Sequence, residues 1–330
     1  MWEFQTAHHD LWDYDVAAPP MLVTLRRGDG AVPAVVVGTK SGMIFVLDRL
    51  TGRPLYPVTE RPVPSTTLPG EESWPTQPFP DPAFRLHSER LTPDSAFGLT
   101  AEDRAACRQD IAQLENRGLF TPPSTKETLV WPGFWGGINW DGLAWDPENS
   151  TLIVAQKRLA MTIQLIDTAT IANTRARPGA EVFLQAGSPY AAIRRPLIAP
   201  DGTPCNPPPW SELIAFTLGD TVKERWRVPL GRVPWLRHLK GSEQWGSLTF
   251  GGALVTGGGL VFIASGQDDV IRAYDIERGA VLWSAQLPAG GQAAPMTYVI
   301  DGRQYVVIVA GGRGNIGTPG DWVVAYALPE

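Results

Sequence analysis

A segment near the N-terminus, residues 5–15, combines acidic, imidazole and aromatic side chains at high density. Its ionisable members are Asp10, Asp13, Asp15, His8 and His9. A buried carboxylate must be paired or hydrogen-bonded, so such a segment is poor material for a core strand. A carboxylate held against aromatic faces is instead suited to act as a general base. By residue type the three aspartates are equivalent, and an Asx-type turn is the alternative role for each.

The adjacent histidines, His8 and His9, have no third metal-ligand type at a suitable spacing, which is weak evidence for a metal site. We expect them to line a pocket or to form hydrogen bonds, and the metal ligands stay unassigned.

Other polar or aromatic side chains lie in stretches that resemble turns. These are Lys40, Asn139, Trp140, Asp268 and Arg313. A cation there can stabilise developing negative charge, and amide and indole groups can hold a planar ligand. Each also has a structural alternative, because turn lysines are mostly solvated and acidic turn residues are common. For Trp140 a ring packed between sheets is an equally good interpretation.

An internal repeat indicates what positions these residues. Residues 44–56 align with residues 271–283, and in both copies an aspartate precedes a glycine by four positions and an aromatic residue follows it by four. A degenerate third copy covers residues 213–226. The pattern predicts a strand, a turn containing Asp and Gly, and a second strand carrying a ring. Repeated hairpins of this kind build propeller blades.

Short β-branched or aromatic runs bounded by turn residues predict further strands. The predicted strands are 34–38, 44–48, 152–155, 213–217, 254–256, 260–265, 271–275, 304–310 and 322–327. One helix is predicted over residues 100–117, opened by Thr100 with Asp103 three positions later. Two proline-rich stretches, near residues 57–125 and 175–210, are predicted to be ordered insertions between blades, and residues 1–330 show no clean domain boundary.

Composition narrows the class of protein. The 330 residues carry a net charge of −6 with charges mixed along the chain, which argues against a nucleic-acid surface. Thirty-four Gly, 31 Pro and 13 Trp favour an all-β fold with many tight turns. Cys107 and Cys205 are as compatible with one disulfide in an exported protein as with two free thiols. No apolar run is long enough to span a membrane, and no signal peptide is visible.

Several motifs together resemble one family. Residues 2–15 resemble the Trp-x-x-Gln-Thr-x-His-His-Asp-Leu-Trp-Asp-x-Asp motif of membrane-bound quinoprotein glucose dehydrogenases, which use PQQ, and of their quinate, shikimate and polyol relatives. Residues 136–147, 268–274 and 287–298 match later elements of the family in the same order. The resemblance implies about half of an eight-bladed quinoprotein propeller with four-stranded antiparallel blades. Its tryptophan-docking repeat implies structural roles for Trp226 and Trp283.

The resemblance also implies roles for individual residues. Asp13 would be the general base, and Lys40 would bind the quinone oxygens of PQQ. Asn139 and Trp140 would help to hold the cofactor, and Asp268 matches an acidic residue tied to cofactor binding.

The substrate pocket would include His9 and Arg313. Arg313 stands where glucose dehydrogenases carry the histidine of Gly-Gly-His-Gly, so the resemblance does not select glucose itself. Gln156 stands where the family pattern has an asparagine, a change that would shift any cofactor contact there.

The implied activity is oxidation of an aldose sugar or a cyclic polyol by PQQ with Ca²⁺ or Mg²⁺, passing electrons to ubiquinone at the periplasmic face of the inner membrane. Because the motif lies mid-chain in the family, we expect this chain to correspond to the C-terminal half. The main cation ligands and the membrane anchor would then lie in the upstream half, a possible partner, and the chain alone would be incomplete. The alternatives are a non-catalytic propeller scaffold and an inactive fragment.

Overall fold

The computed structural model describes residues 1–177, 179–312, 314 and 316–329. Within them, twenty strands form six antiparallel sheets, and one α-helix is present. The predicted all-β class is therefore confirmed. Four of the sheets are propeller blades stacked side by side, and the other two come from insertions.

Blade 1 is formed by three strands, β1 (Met21–Arg27), β2 (Gly30–Gly38) and β3 (Ile44–Asp48). The first insertion follows it, with a hairpin of β4 (Val58–Pro62) and β5 (Thr76–Pro80) and a helix α1 (Ala101–Gln113). Thr100 and Asp103 form the predicted capping box, and the helix ends four residues before the predicted boundary. The helix is tied to the body by a disulfide between Cys107 and Cys205.

Blade 2 is interrupted by a second sheet. Its strands are β7 (Leu143–Asp146), β8 (Thr151–Lys157), β12 (Ser211–Leu218) and β13 (Val222–Pro229). Between β8 and β12 the chain forms most of an inserted sheet, made of β6 (Thr128–Val130), β9 (Met161–Asp167), β10 (Glu181–Leu184) and β11 (Tyr190–Pro196). The second proline-rich stretch, near residues 175–210, therefore lies between two strands of the same blade, whereas the sequence predicted an insertion between two blades.

Blades 3 and 4 complete the described chain. Blade 3 contains β14 (Leu254–Val255), β15 (Leu260–Ser265), β16 (Val270–Asp275) and β17 (Val281–Gln286). Blade 4 contains three strands, β18 (Met296–Ile300), β19 (Arg303–Ala310) and β20 (Trp322–Ala327). Four blades are half of the predicted eight.

Alternating side chains of each inner blade pack against the two neighbouring blades. In blade 2, Leu152 and Val154 pack against blade 1, whereas Ile153 and Ala155 pack against blade 3. Because both faces are covered, β8 is buried along its whole length, and its central residues 152–155 form a continuous apolar run. Blade 3 packs in the same way against blade 4 through Ile308 and its neighbours.

Aromatic rings lock the blades together at the repeated turns. Gly52 and Gly279 both have positive φ, and each lies under a tryptophan ring that a Cβ would meet at less than 3 Å. Trp226 of blade 2 covers Gly279 and donates its indole N–H to Ile276 O at 2.8 Å. Trp2 covers Gly52 and donates in the same way to Arg49 O at 3.0 Å. Glycine is required at both turns because the φ value and the ring contact exclude a side chain.

Candidate functional site

Asp13 lies on the wall of a cavity of about 610 Å³ between the N-terminal segment and the inserted sheet. This volume is in the range of small-molecule sites. The opposite wall is apolar and includes Ile163, Leu165 and Tyr190. Asp13 has a φ of +63°, a left-handed conformation that Asp and Asn tolerate better than most residues. Its carboxylate is thus presented to the cavity by an unusual backbone turn.

Asp10 holds that turn. Its carboxylate accepts hydrogen bonds from the backbone N–H groups of Trp12 at 2.9 Å and Tyr14 at 2.7 Å. The rings of Trp12 and Tyr14 are buried and pack on Phe120, and each donates its polar hydrogen to a buried backbone carbonyl. The alternation of buried rings and exposed carboxylates therefore anchors the segment and leaves Asp13 and Asp15 facing outward. Asp10 has the turn role that the sequence allowed for any of the three.

Lys40 lies beside both of the outward carboxylates. Its ammonium is 2.9 Å from Asp13 Oδ1 and 2.6 Å from Asp15 Oδ1. Lys40 sits in the turn between β2 and β3, and its backbone carbonyl accepts a hydrogen bond from Gly137 N at 2.7 Å. A Cβ on Gly136 would lie 2.8 Å from the Lys40 side chain, so the glycine lets the two loops touch. The structure thus brings together the two residues that the sequence placed 27 positions apart.

The electrostatics of this group are set by burial and by the shared cation. Burial raises the pKa of Asp13, Lys40 lowers it in opposition, and the neighbouring Asp15 raises it further. For Asp15, burial also raises the pKa, but the hydrogen bond and charge of Lys40 together with the hydrogen bonds from Asp13 and the backbone outweigh it, so the pKa is lowered. Burial lowers the pKa of Lys40, yet its two carboxylate partners raise it overall. The environment thus gives Asp13 and Asp15 different pKa values, and the Asp13 carboxylate is the stronger base.

Arg194 is a candidate site residue that the sequence did not reveal. It lies on β11 of the inserted sheet, lines the cavity, and places its guanidinium 3.6 Å from Asp13 Oδ2. The rings of Phe134 and Phe183 flank it, at 4.8 and 4.0 Å from the guanidinium carbon. Asp13 is therefore held between two cations, Lys40 from blade 1 and Arg194 from the inserted sheet. No motif surrounds Arg194 in the sequence, so only the tertiary pairing of β9 and β11 exposes its role.

Asn139 and Trp140 lie on the loop that touches the Lys40 turn. The Asn139 side chain is engaged locally, because its amide donates to Trp135 O and its oxygen accepts from Trp140 N. The Trp140 side chain is 60% exposed, and its ring lies 5.9 Å from that of Phe250. Asn139 thus shapes the loop, and Trp140 provides an accessible aromatic face.

A buried ion pair lies next to this aromatic face. Lys157 at the end of β8 contacts Asp141 Oδ1, and both side chains are almost completely buried. Lys157 also lies 5.2 Å from the centre of the Phe250 ring. Burial raises the pKa of Asp141 and Lys157 opposes this, while the second carboxylate oxygen has no hydrogen-bond partner among the described residues. No sequence motif marks this pair, because the whole β7–β8 hairpin separates its two members in the chain.

The remaining predicted residues lie elsewhere or outside the description. Asp268 is buried and accepts hydrogen bonds from Arg272 at 2.5 Å and from Arg232 N at 2.9 Å, contacts that organise blade 3. Among the described residues, no hydrogen bond or ion pair joins Asp268 to Lys40. His9 lies near the cavity rim, 3.3 Å from Glu71. Arg313 lies outside the described residues.

Two further observations concern metals and membranes. In the described part of the chain, no group of three or more His, Cys, Asp or Glu side chains is arranged to hold a metal ion. None of the described helices has the length and apolar character needed to cross a membrane.

Fold and site together define a β-propeller of the quinoprotein class. Residues 1–306 match the family model for the PQQ-dependent glucose/ethanol/alcohol dehydrogenase β-propeller domain. Along its full length the chain is 40% identical to a probable quinate dehydrogenase (quinone) of Xanthomonas campestris pv. juglandis. It is 39% identical to the quinoprotein glucose dehydrogenase of Escherichia coli strain K12. The chain therefore belongs to the PQQ-dependent dehydrogenase family.

The solved structures agree on the fold. The quinohemoprotein alcohol dehydrogenase of Comamonas testosteroni superimposes with a TM-score of 0.59 at 21% identity, over 99% of this chain and 40% of that chain.

The sequence alignments with the Xanthomonas and Escherichia coli relatives cover 43% of each relative, so this chain spans less than half of their length.

Proposed function

We propose that this chain forms the catalytic portion of a PQQ-dependent dehydrogenase that oxidises an aldose sugar or a cyclic polyol. The observation that carries this proposal is the placement of Asp13 on the cavity wall between the cations of Lys40 and Arg194. The relatives are named for glucose, quinate and glycerol, all polyhydroxylated alcohols. A cavity with polar groups on one wall and apolar side chains on the other suits such a substrate.

In this proposal Asp13 acts as the base. An alcohol has a high pKa, so its hydroxyl proton must be taken up as hydride leaves the carbon, and a positioned carboxylate lowers that barrier. The elevated pKa of Asp13 makes it a better proton acceptor than an ordinary carboxylate. Arg194, on the far side of Asp13, orients the carboxylate.

The residues near Lys40 fit PQQ, which is planar and polyanionic. The exposed face of Trp140 supplies an aromatic contact, and Lys40 supplies a cation on the turn that contacts the same loop. Among the described residues, Asp141 Oδ2 has no hydrogen-bond partner, and it marks a polar position beside Lys157 that a ligand group or water could satisfy. When bound, PQQ would accept the hydride equivalent from the substrate carbon. Lys40 would stabilise the negative charge that develops on the quinone oxygens.

The cation, the electron acceptor and the location belong to the same proposal. We assign Ca²⁺ or Mg²⁺ as the cation, with its main ligands supplied by the upstream half, and ubiquinone as the acceptor. The Cys107–Cys205 disulfide supports an oxidising compartment, which agrees with the periplasmic face of the inner membrane.

A chimera tests the function. Residues 1–330 would replace the matching C-terminal part of the Escherichia coli relative, and oxidation of glucose, quinate and glycerol would be followed with an artificial dye. We expect PQQ-dependent oxidation of at least one of the three. A folded chimera that binds PQQ and oxidises none of them would contradict the proposal.

A further inference from the structure

A histidine of the first insertion packs against the turn that carries Lys40. The segment at residues 85–87 runs alongside this turn, and Leu86 N donates a hydrogen bond to Gly42 O at 2.9 Å. The imidazole of His87 lies so close to Gly42 that a Cβ on that glycine would meet the ring at less than 3 Å. The position of the turn therefore depends on the insertion as well as on blade 1.

The same imidazole contacts the loop that carries Asn139. A Cβ on Gly137 would lie 2.9 Å from His87 Nε2, and it would also lie within 3 Å of the Gly42 backbone. Gly137 is the residue whose N–H donates to the carbonyl of Lys40. The ring thus fills the corner where the Lys40 turn and the Asn139 loop cross, and each of them has a glycine at the contact.

Packing holds His87 in this corner. Among the described residues neither ring nitrogen has a hydrogen-bond partner, and both nitrogens are shielded from solvent. The ring of Trp131 packs edge-on against the imidazole, with 5.7 Å between the ring centres. Burial lowers the pKa of His87 well below its ordinary value of 6.5, and the cations Arg158, Arg227 and Lys157 lower it further. The ring is therefore neutral, and it acts on the two loops through its shape.

We propose that His87 is a positioning residue that holds Lys40 against Asp13 and Asp15. The ring fixes the spacing between the Lys40 turn and the Asn139 loop, and with this spacing the Lys40 ammonium lies 2.9 and 2.6 Å from the two carboxylates. Removal of the ring opens space into which the turn can move. Because an ion pair weakens as its atoms separate, such a movement withdraws the cation from Asp13. Only a resulting change in reaction rate would depend on the proposed function.

The pKa of Asp13 reports the position of Lys40 and therefore tests the proposal. Lys40 lowers that pKa, so His87→Ala should raise it, by no more than Lys40→Met does. Carbon-13 NMR of the Asp13 carboxyl in the full chain measures the shift during a pH titration. In the double variant His87→Ala, Lys40→Met, the pKa should equal that of Lys40→Met alone, because the cation through which His87 acts is gone. An unchanged or lowered pKa in His87→Ala, or a further rise in the double variant, would overturn the proposal.

Two further variants separate positioning from stability. Ile111→Ala truncates a side chain of α1 that is 2% exposed, so it should lower the free energy of unfolding and leave the pKa of Asp13 in place. A pKa shift in Ile111→Ala as large as in His87→Ala would assign the effect to general loosening and overturn the proposal. His87→Leu keeps most of the side-chain volume without the ring nitrogens, so it should shift the pKa less than His87→Ala does. Equal shifts in these two variants would also overturn a role based on packing.

Folding is verified by circular dichroism. His87→Val is a milder truncation with the same expected direction of shift, and it takes the place of His87→Ala if that variant does not fold. The NMR measurement needs no turnover, so its outcome is separate from that of the proposed function. An active chimera without coupling between His87 and Asp13 would refute the positioning role alone. Coupling in a chimera that binds PQQ but oxidises none of the three alcohols would refute the proposed function alone.

Discussion

The ammonium of Lys40 lies 2.6 Å from a carboxylate oxygen of Asp15 and reaches Asp13 at a slightly longer distance, 2.9 Å. One cation thus serves two carboxylates that share a motif. Burial raises the pKa of Asp13 by more than Lys40 lowers it, whereas at Asp15 the contacts with Lys40 and further hydrogen bonds outweigh burial and lower the pKa. This inequality distinguishes the proposed base from its neighbour, which residue types alone did not.

The pKa of Asp13 should respond to its two neighbours in opposite directions. Lys40→Met removes a cation that favours the ionised form, so the pKa of Asp13 should rise further above its ordinary value of 3.8. Asp15→Asn removes a like charge, so the pKa of Asp13 should fall, with Lys40 now devoted to it. Carbon-13 NMR of the Asp13 carboxyl during a pH titration measures both shifts. Shifts of the same sign in the two variants would contradict the arrangement.

The same shift predicts the pH dependence of catalysis. A base works only when deprotonated, so kcat/KM of the chimera should decline as pH falls through the pKa of Asp13, at a pH above 3.8. In Lys40→Met this acid limb should move to higher pH, because the pKa rises. An acid limb that stays in place in Lys40→Met would assign it to another group.

Asp13→Asn tests the base directly. Asparagine keeps the size of the side chain and tolerates the left-handed backbone at this position, but it cannot accept the proton. In the chimera we expect a loss of roughly 10²–10⁴-fold in kcat with little change in PQQ affinity. Asp10→Asn is the control, since Asp10 holds the turn and its loss should appear in thermal stability first. Equal losses of kcat in the two variants would mean that the segment acts only through its fold.

The disulfide should contribute strongly to stability. It joins α1 to residue 205 across a sequence separation of 98, and a cross-link closing a loop of about 100 residues stabilises by roughly 4–5 kcal/mol in the chain-entropy account. Denaturant unfolding with and without reductant measures this contribution. The double variant Cys107→Ser, Cys205→Ser should match the reduced wild type and be insensitive to reductant. Equal stability of the oxidised and reduced wild type would refute the prediction.

Trp226→Ala should loosen the contact between blades 2 and 3. The ring is 9% exposed, covers Gly279 and donates to Ile276 O, so its removal leaves a cavity and an unpaired carbonyl. The expected loss is about 3–5 kcal/mol in the free energy of unfolding, measured by denaturant titration. Trp235→Ala should change the same quantity by less than about 1 kcal/mol. A loss at Trp226 no larger than at Trp235 would exclude a docking role.

Local sequence patterns predicted the elements that depend on local chemistry. The strands at 44–48, 260–265 and 322–327 match their observed bounds, because each is a short apolar run between turn residues. The capping box at Thr100 was also predicted from two residues. The roles of Asp13 and Lys40 were implied only by the family resemblance and stay predictions; the ion pair between the two side chains is a finding of the structure.

Other features were not predictable because long-range packing creates them. β8 and β12 are neighbours in one sheet although the inserted strands separate them in the chain, and nothing local marks that pairing. The exposed β10 lacks the apolar alternation that identifies a strand, since little covers it. Arg194 reaches its position beside Asp13 only in the folded inserted sheet, where β11 pairs with β9. Trp2 matches the first position of the family motif, but its packing on Gly52 can be recognised only in the structure.

The inserted sheet has a consequence for how this family can diversify. The proposed base, Asp13, and Lys40 are held by the N-terminal segment and blade 1. Much of the opposite cavity wall belongs to the inserted sheet, most of which lies in the chain between β8 and β12, two neighbouring strands of blade 2. That wall can be lengthened, shortened or exchanged without changing blade registers or docking tryptophans, because its entry and exit points stay paired as β8 and β12. Under the proposed function, selection for a new alcohol can therefore act on an exchangeable wall while the proposed base stays in place.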